Sequence, residues 1–284
     1  MLDILLDSFS DSVKLLPFLF LTYLLMEFLE HRAGSAASDR IRTAGKFGPL
    51  WGGLLGVIPQ CGFSTAASSL FSGRVITLGT LLAVYLSTSD EMLPIMISNA
   101  VPPATLIKIL AVKAAIGIIT GFFIDFFYIN IMKKQKQDVD VHKICEKEHC
   151  HCERGIVKSA LMHTVKIFVY VLLISLLLNC LIGMIGEDAL AGLFSSVPVI
   201  GEIIAALVGL IPNCASSVVI TQLYLSQIIN AGAMMAGLLV NAGVGLLVLL
   251  RLNRDRRQNA GIIAILYGAG VLWGILIEFT GVTF

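Results

Sequence analysis

Six long apolar runs, at residues 13–29, 75–98, 105–132, 164–184, 228–250 and 261–282, set the rhythm of the chain. A helix that crosses a bilayer takes roughly 20 apolar residues. The runs show no alternation of apolar and polar positions, which is what the strands of a membrane barrel would require, so they predict helices. Two further hydrophobic stretches, 48–71 and 199–225, are interrupted near their middles by Pro59-Gln60-Cys61 and Pro212-Asn213-Cys214. Proline removes a backbone donor and clashes with the preceding turn, so both stretches break there. A broken backbone at membrane depth is tolerated only where it is buried in protein or lines a cavity.

Composition agrees with this pattern. The chain is 57% hydrophobic and 14% charged, with a mean hydropathy of +0.89, too little charge for the surface of a soluble domain of 284 residues. The first apolar run follows Asp3, Asp7 and Asp11 and ends in Glu27 and Glu30, which predicts a retained helix rather than a cleaved signal.

The basic residues orient the runs. Of twenty Lys and Arg, four lie in 32–46, one is Arg74, seven lie in 133–158 and four lie in 251–257. The positive-inside rule places these connectors in the cytoplasm. The connectors near 100–103 and 186–198 carry none, so they and both termini are expected outside. The stretch 48–71 then begins and ends on the inner side, and 199–225 on the outer side. Each is expected to enter the membrane and return as a re-entrant helical hairpin.

The two halves also match each other. Aligned without a gap at an offset of 153 residues, Ile58-Pro59-Gln60-Cys61 falls on Ile211-Pro212-Asn213-Cys214, and Gly79, Ala83 and Thr88 fall on Gly232, Ala236 and Asn241. Gly121 and the run to Asp125-Phe126 fall on Gly274 and the run to Glu278-Phe279. Three full crossings per half is an odd number, so the second half is expected upside down. The predicted fold is an all-α polytopic membrane protein of two inverted-topology repeats, each with three transmembrane helices and one re-entrant hairpin. The first repeat is 1–132, a cytoplasmic His/Cys-rich loop is 133–158, and the second repeat is 159–284. Inverted repeats with breaks in matching places point to a secondary transporter with its site near the midplane.

Candidate chemistry gathers at the breaks. Cys61 and Cys214 would suit a soft, thiophilic metal or metalloid as a facing pair, and each is also an ordinary small apolar residue. Gln60 and Asn213 offer amides; Ser64, Thr65, Ser216 and Ser217 offer hydroxyls. Asp90 and Glu91, inside the run 75–98, are hard oxygen ligands or proton carriers. They would otherwise neutralise Lys113, or leave Thr88 and Glu91 as a helix cap before Pro94. Their equivalents are Gly243 and Val244, so the halves are not chemically identical. Glu27 is a weaker candidate for coupling or ion pairing. Asp125 and Glu278 are expected near the membrane ends. In the inner loop, His142, Cys145, His149, Cys150, His151 and Cys152 form a candidate accessory metal-capturing site, with a solvated linker as the alternative.

These segments resemble a heavy-metal exporter family with ten membrane elements, related to the arsenic permeases, some of whose members are labelled manganese transporters. The resemblance rests on residues 58–64, 87–91, 211–214 and the His/Cys loop, and covers essentially the whole chain. It implies export of a metal or metalloid ion, manganese or another divalent cation, or an arsenite-type species. No Cys-Cys dipeptide is present, which speaks against an organoarsenical.

The expected activity is secondary-active export by alternating access from a multi-pass position in the cell membrane. No catalytic residues and no resident cofactor are expected. The bilayer and the ion are the expected partners, nucleic acid is not one, and homo-oligomerisation is left open. A small organic anion drawn to half-helix N-termini and Lys113 is the alternative cargo. A metal-dependent intramembrane enzyme built on Asp90 and Glu91 is the alternative of a different class.

Overall fold

The computed structural model describes residues 47–58, 61–89, 92–131, 200–282 and 284, together with scattered positions within 13–24 and 160–177. Among the described residues the elements are α1 (Gly48–Gly56), α2 (Cys61–Ser72), α3 (Leu78–Ser87), α4 (Met92–Ser98) and α5 (Pro103–Ile131). The second set is α6 (Ile200–Gly209), α7 (Cys214–Leu225), α8 (Ala231–Val240), α9 (Val244–Leu252) and α10 (Arg256–Thr280). The chain is a helical, multi-pass membrane protein. Three of its described segments are long and apolar enough to cross a bilayer: Pro103–Phe127, Ala231–Leu252 and Arg256–Thr280.

Local chemistry sets the helix starts. Pro49 occupies the first turn of α1, where a missing N–H costs nothing. Thr77 caps α3 by accepting from the Thr80 amide at 3.1 Å, Asn230 caps α8 through the Ala233 amide at 2.7 Å, and Asp255 caps α10.

The two sets keep one spacing. α7 covers Cys214–Leu225 as α2 covers Cys61–Ser72, α8 covers Ala231–Val240 as α3 covers Leu78–Ser87, and α10 starts at Arg256 as α5 starts at Pro103. Each pair is 153 residues apart. The same separation appears in a single hydrogen bond, from Trp273 Nε1 to Thr120 Oγ1 at 3.0 Å. Two equivalent positions touch only where they lie beside the axis that relates them.

Helix directions follow from close approaches. A side chain at Gly48 would overlap Thr80, and one at Gly56 would overlap Ser87, so α1 and α3 run the same way. Gly121 lies against Gly79 and Gly117 against Ala83, so α5 runs the opposite way. The chain leaves α1 near Ser87 and re-enters α3 at Leu78, and α2 makes the return. In the second set, Gly201 faces Ala233, Gly209 faces Gly237 and Gly274 faces Gly232, the same arrangement. Between the sets, α2 packs on α9, α7 on α4 and α3 on α8. α3 and α8 are buried along their whole lengths and form the centre of the core.

The runs 75–98 and 228–250, expected as single helices, are each interrupted. α3 ends at Ser87, and its cap residue Thr88 takes an extended backbone with ψ 133°. α8 ends at Val240, Asn241 accepts the Gly243 amide at 2.8 Å, and Gly243 has φ 53°. Hydroxyl and amide side chains that bond nearby backbone compete with the helix, and glycine takes a positive φ at no steric cost.

Candidate functional site

Each half therefore has two breaks, one between α1 and α2 (or α6 and α7) and one between α3 and α4 (or α8 and α9). The close approach of Gly56 to Ser87 brings the two breaks of the first half together. Contacts between the halves then join all of them.

The densest junction lies where α2 meets the start of α9. Ser64 lies so close to Gly245 that a methyl group there would sit 2.7 Å from Ser64 Cβ and 2.8 Å from its backbone. Ser68 Oγ is 2.7 Å from the Gly245 carbonyl and 2.7 Å from the Tyr85 hydroxyl, which itself reaches Gly245 at 3.2 Å. All three side chains are buried. One carbonyl of the second half is thus held by two elements of the first.

Lys113 makes the second junction. It is 1% exposed, and its ammonium donates to the carbonyl of Thr88, at the end of α3, and to the carbonyl of Leu238 on α8 at 2.9 Å. The interruption of α3 supplies one acceptor, since Thr88 lies beyond the last helical residue. A charge buried in a membrane protein needs such partners, because leaving it unpaired costs several kcal/mol, order of magnitude. The expected partners of Lys113, Asp90 and Glu91, lie outside the described residues, and the Thr88 carbonyl just before them is what the ammonium meets.

Asn213 and Cys214 open α7 and are both 3% exposed. Asn213 is extended (φ −148°, ψ 150°), and its amide donates to the Ile211 carbonyl at 2.7 Å, a tight turn directly after Pro212. Cys214 is buried and belongs to an apolar cluster with Val244, Leu247 and Val248.

The hydroxyl protons around the breaks are committed to the backbone. Thr65 donates to Gly62 at 2.8 Å, Thr88 to Val84 at 2.7 Å and Ser87 to Ala83 at 2.7 Å. On the other side, Ser216 donates to Asn213 at 2.7 Å, Ser217 to Cys214 at 2.8 Å and Thr221 to Ser217 at 2.7 Å. A hydroxyl that has given its proton to a carbonyl keeps only lone pairs to offer. In this arrangement these hydroxyl oxygens keep acceptor capacity.

Of the residues singled out from sequence, Ser64, Thr65, Lys113, Asn213, Cys214, Ser216 and Ser217 are placed at or beside the breaks. Gln60, Asp90, Glu91, Glu27, the His142, Cys145, His149, Cys150, His151 and Cys152 loop, and the Cys61 side chain lie outside the described residues. Among the described residues, no three His, Cys, Asp or Glu side chains converge as a metal site.

Three further positions, none of them a candidate from the sequence, take part. Asn241 forms the turn at the second-half break, signalled only by its equivalence with Thr88. Tyr85 reaches across the halves and looks in sequence like any core aromatic. Glu202, 1% exposed, accepts at Oε1 from Asn230 Nδ2 at 3.3 Å, while its Oε2 has no hydrogen-bond partner among the described residues. A lone acid inside the run 199–225 was the available signal.

Asp125 and Glu278 act as helix caps. Asp125 accepts from the Thr77 hydroxyl at 2.6 Å and the Gly79 amide at 2.8 Å, and Glu278 accepts from the Gly232 amide at 3.3 Å. Both sit at equivalent helix N-termini, where a carboxylate meets the positive end of the dipole.

Comparison with curated proteins gave no match, and neither did comparison with solved structures. A family model does match, over residues 1–183 and 126–277, and its description is "Putative, 10TM heavy-metal exporter". With nearly the whole chain covered, the protein belongs to that family of membrane transporters.

Proposed function

We propose that the chain is a secondary-active exporter of a metal or metalloid ion, built as two inverted repeats whose hairpins α1–α2 and α6–α7 are re-entrant. Helix direction supports the hairpins: Gly48 and the turn after α2 both lie at the N-terminal end of α3. The inversion is supported by the packing of α9 on α2. Gly245, at the start of α9, meets Ser64 and Ser68, while Leu252, at its end, shares a cluster with Leu70 and Val75. α9 therefore descends toward the side where α3 begins, which opposes the course of α4.

The observation that carries the transport reading is the exchange of broken helices between the halves, α2 with α9 and α7 with α4, around buried polar breaks. Such breaks concentrate fixed dipoles and freed carbonyls at the depth where a transported ion must shed its water. Acceptor-only hydroxyls favour a cation or a neutral hydroxylated metalloid. Asp90 and Glu91, beside the Thr88 carbonyl in sequence, supply hard oxygen or a coupling proton; Cys61 and Cys214 supply the soft alternative. A small organic anion is the second reading, favoured by the buried ammonium of Lys113 and by the N-terminus of α7.

Cells of a metal-sensitive host expressing the chain should hold less of one ion among Mn, Zn, Co, Cd and arsenite than controls. Unchanged content for all five would sink the reading. Asp90→Asn with Glu91→Gln should abolish export of a hard cation and spare that of a thiophilic one, and Cys61→Ser with Cys214→Ser should do the reverse. Loss of residues 142–152 should shift apparent affinity without eliminating export.

A further inference from the structure

We propose that the corner where α9 turns into α10 is a binding site for the phosphate of an anionic phospholipid. A cavity of about 600 Å³ opens there, lined by Leu250, Asn253, Arg254, Arg256, Asn259, Ala260 and Ile263. Its floor is fixed by a pair of amides: Asn259 donates to the Asn253 carbonyl at 2.8 Å and accepts from Asn253 Nδ2 at 2.8 Å. Asp255, the one acid in the turn, is not among the lining residues and accepts the Arg257 and Gln258 backbone amides at 3.0 and 3.2 Å. Among the described residues neither Arg254 nor Arg256 has an ion-pair partner.

Two guanidinium groups beside one cavity match an anion with several oxygens, since each presents a planar fork of donors. The apolar wall then selects the kind of anion. Leu250 is 41% exposed, and the outer face of α10 continues with exposed Ile265 and Leu272. Inorganic phosphate would use the arginines and leave that wall wet, whereas a phospholipid uses both. The distribution of basic residues puts this corner on the inner side, where anionic headgroups meet basic pockets between membrane helices.

The repeat supplies an internal comparison. At the equivalent corner of the first half, Ile97, Ala100, Val101, Pro103, Leu106, Ile107 and Leu110 stand in place of the seven lining residues. None of these positions is charged, although exposed Lys108 lies among them in the sequence. The cationic pocket is therefore a property of the second half alone and does not follow from the shared architecture.

Native mass spectrometry of the full chain, offered phosphatidylglycerol and phosphatidylcholine with matched acyl chains, tests the site. Phosphatidylglycerol should be retained preferentially, and Arg254→Gln with Arg256→Gln should reduce that preference at least about five-fold, on a scale of roughly five-fold per arginine near an anionic surface. Arg257→Gln, which removes an exposed charge outside the cavity, should leave the preference nearly intact, and Arg254→Lys with Arg256→Lys should retain part of it. Inorganic phosphate should not displace the lipid. Equal retention of both lipids by the wild type would overturn the proposal. An equal effect of Arg257→Gln would do the same, as would displacement by inorganic phosphate, which identifies a free-anion pocket. Should the double Gln variant not fold, Arg256→Gln alone must still lower the preference.

Discussion

Burying an ammonium group removes it from water at a cost that only fixed dipoles or opposite charges can offset. Lys113 meets this with carbonyls from both halves, Thr88 and Leu238, and each carbonyl depends on it in turn. Lys113→Met keeps the length of the stem and removes the donors. Two buried acceptors then lose a partner, at about 1–3 kcal/mol each. The substitution should lower the melting temperature of the detergent-purified protein and abolish export. A thermal-shift measurement that finds no change would show that the ammonium contributes nothing net to the junction. Loss of export with unchanged melting would place Lys113 in transport alone.

At the scale of elements, the test of the α2–α9 contact is a methyl group. Gly245→Ala sets Cβ at 2.7–2.8 Å from Ser64, including backbone atoms that cannot swing aside. The helices must separate, and the Ser68–Tyr85–Gly245 network stretches with them. Gly268, in the middle of α10, has nothing within 4 Å of the same added atom. There Gly→Ala should be neutral or stabilising by up to about 1 kcal/mol, the helix-propensity difference. Melting temperatures of the two variants should therefore move apart; parallel behaviour would mean that the contact yields freely. The elements were unevenly legible beforehand. The Pro59 and Pro212 breaks and the 153-residue spacing stood out because proline and a shared offset leave plain marks. The break after Ser87 was open only as an alternative, a Thr88–Glu91 cap before Pro94, and the break after Val240 left no mark, because Ser, Thr and Asn occur inside membrane helices as well as at their ends. Only the Asn241–Gly243 turn and the extended Thr88 distinguish an interruption from a polar stripe. Packing across the halves, through Tyr85 and Lys113, leaves no periodic trace in the sequence.

At the scale of the whole molecule, the orientation of the second repeat decides the mechanism. If 48–72 and 200–225 were simple crossings, each half would have an even number of spans and the repeats would lie parallel in the membrane. Both breaks would then face the same way, and rocking one half against the other would not expose a shared site to alternate sides. If they are hairpins, the repeats oppose each other, and one site can be offered to either side in turn. The two arrangements place the turns differently. Opposed repeats put Arg74 and Arg257, both exposed, on the inner side, and put Ile228 and Val282, 43% and 42% exposed, on the outer side. Parallel repeats would bring Ile228 to the same side as Arg74, since each occupies the turn that follows the second half-helix. Single cysteines introduced at these four positions, labelled on intact cells with a membrane-impermeant maleimide and located by peptide mass, separate the alternatives. Ile228→Cys and Val282→Cys should react from outside, and Arg74→Cys and Arg257→Cys only after the cells are opened. Protection of Ile228→Cys on intact cells, with labelling once they are opened, would place the two turns on one side, and alternating access between opposed halves would have to be abandoned.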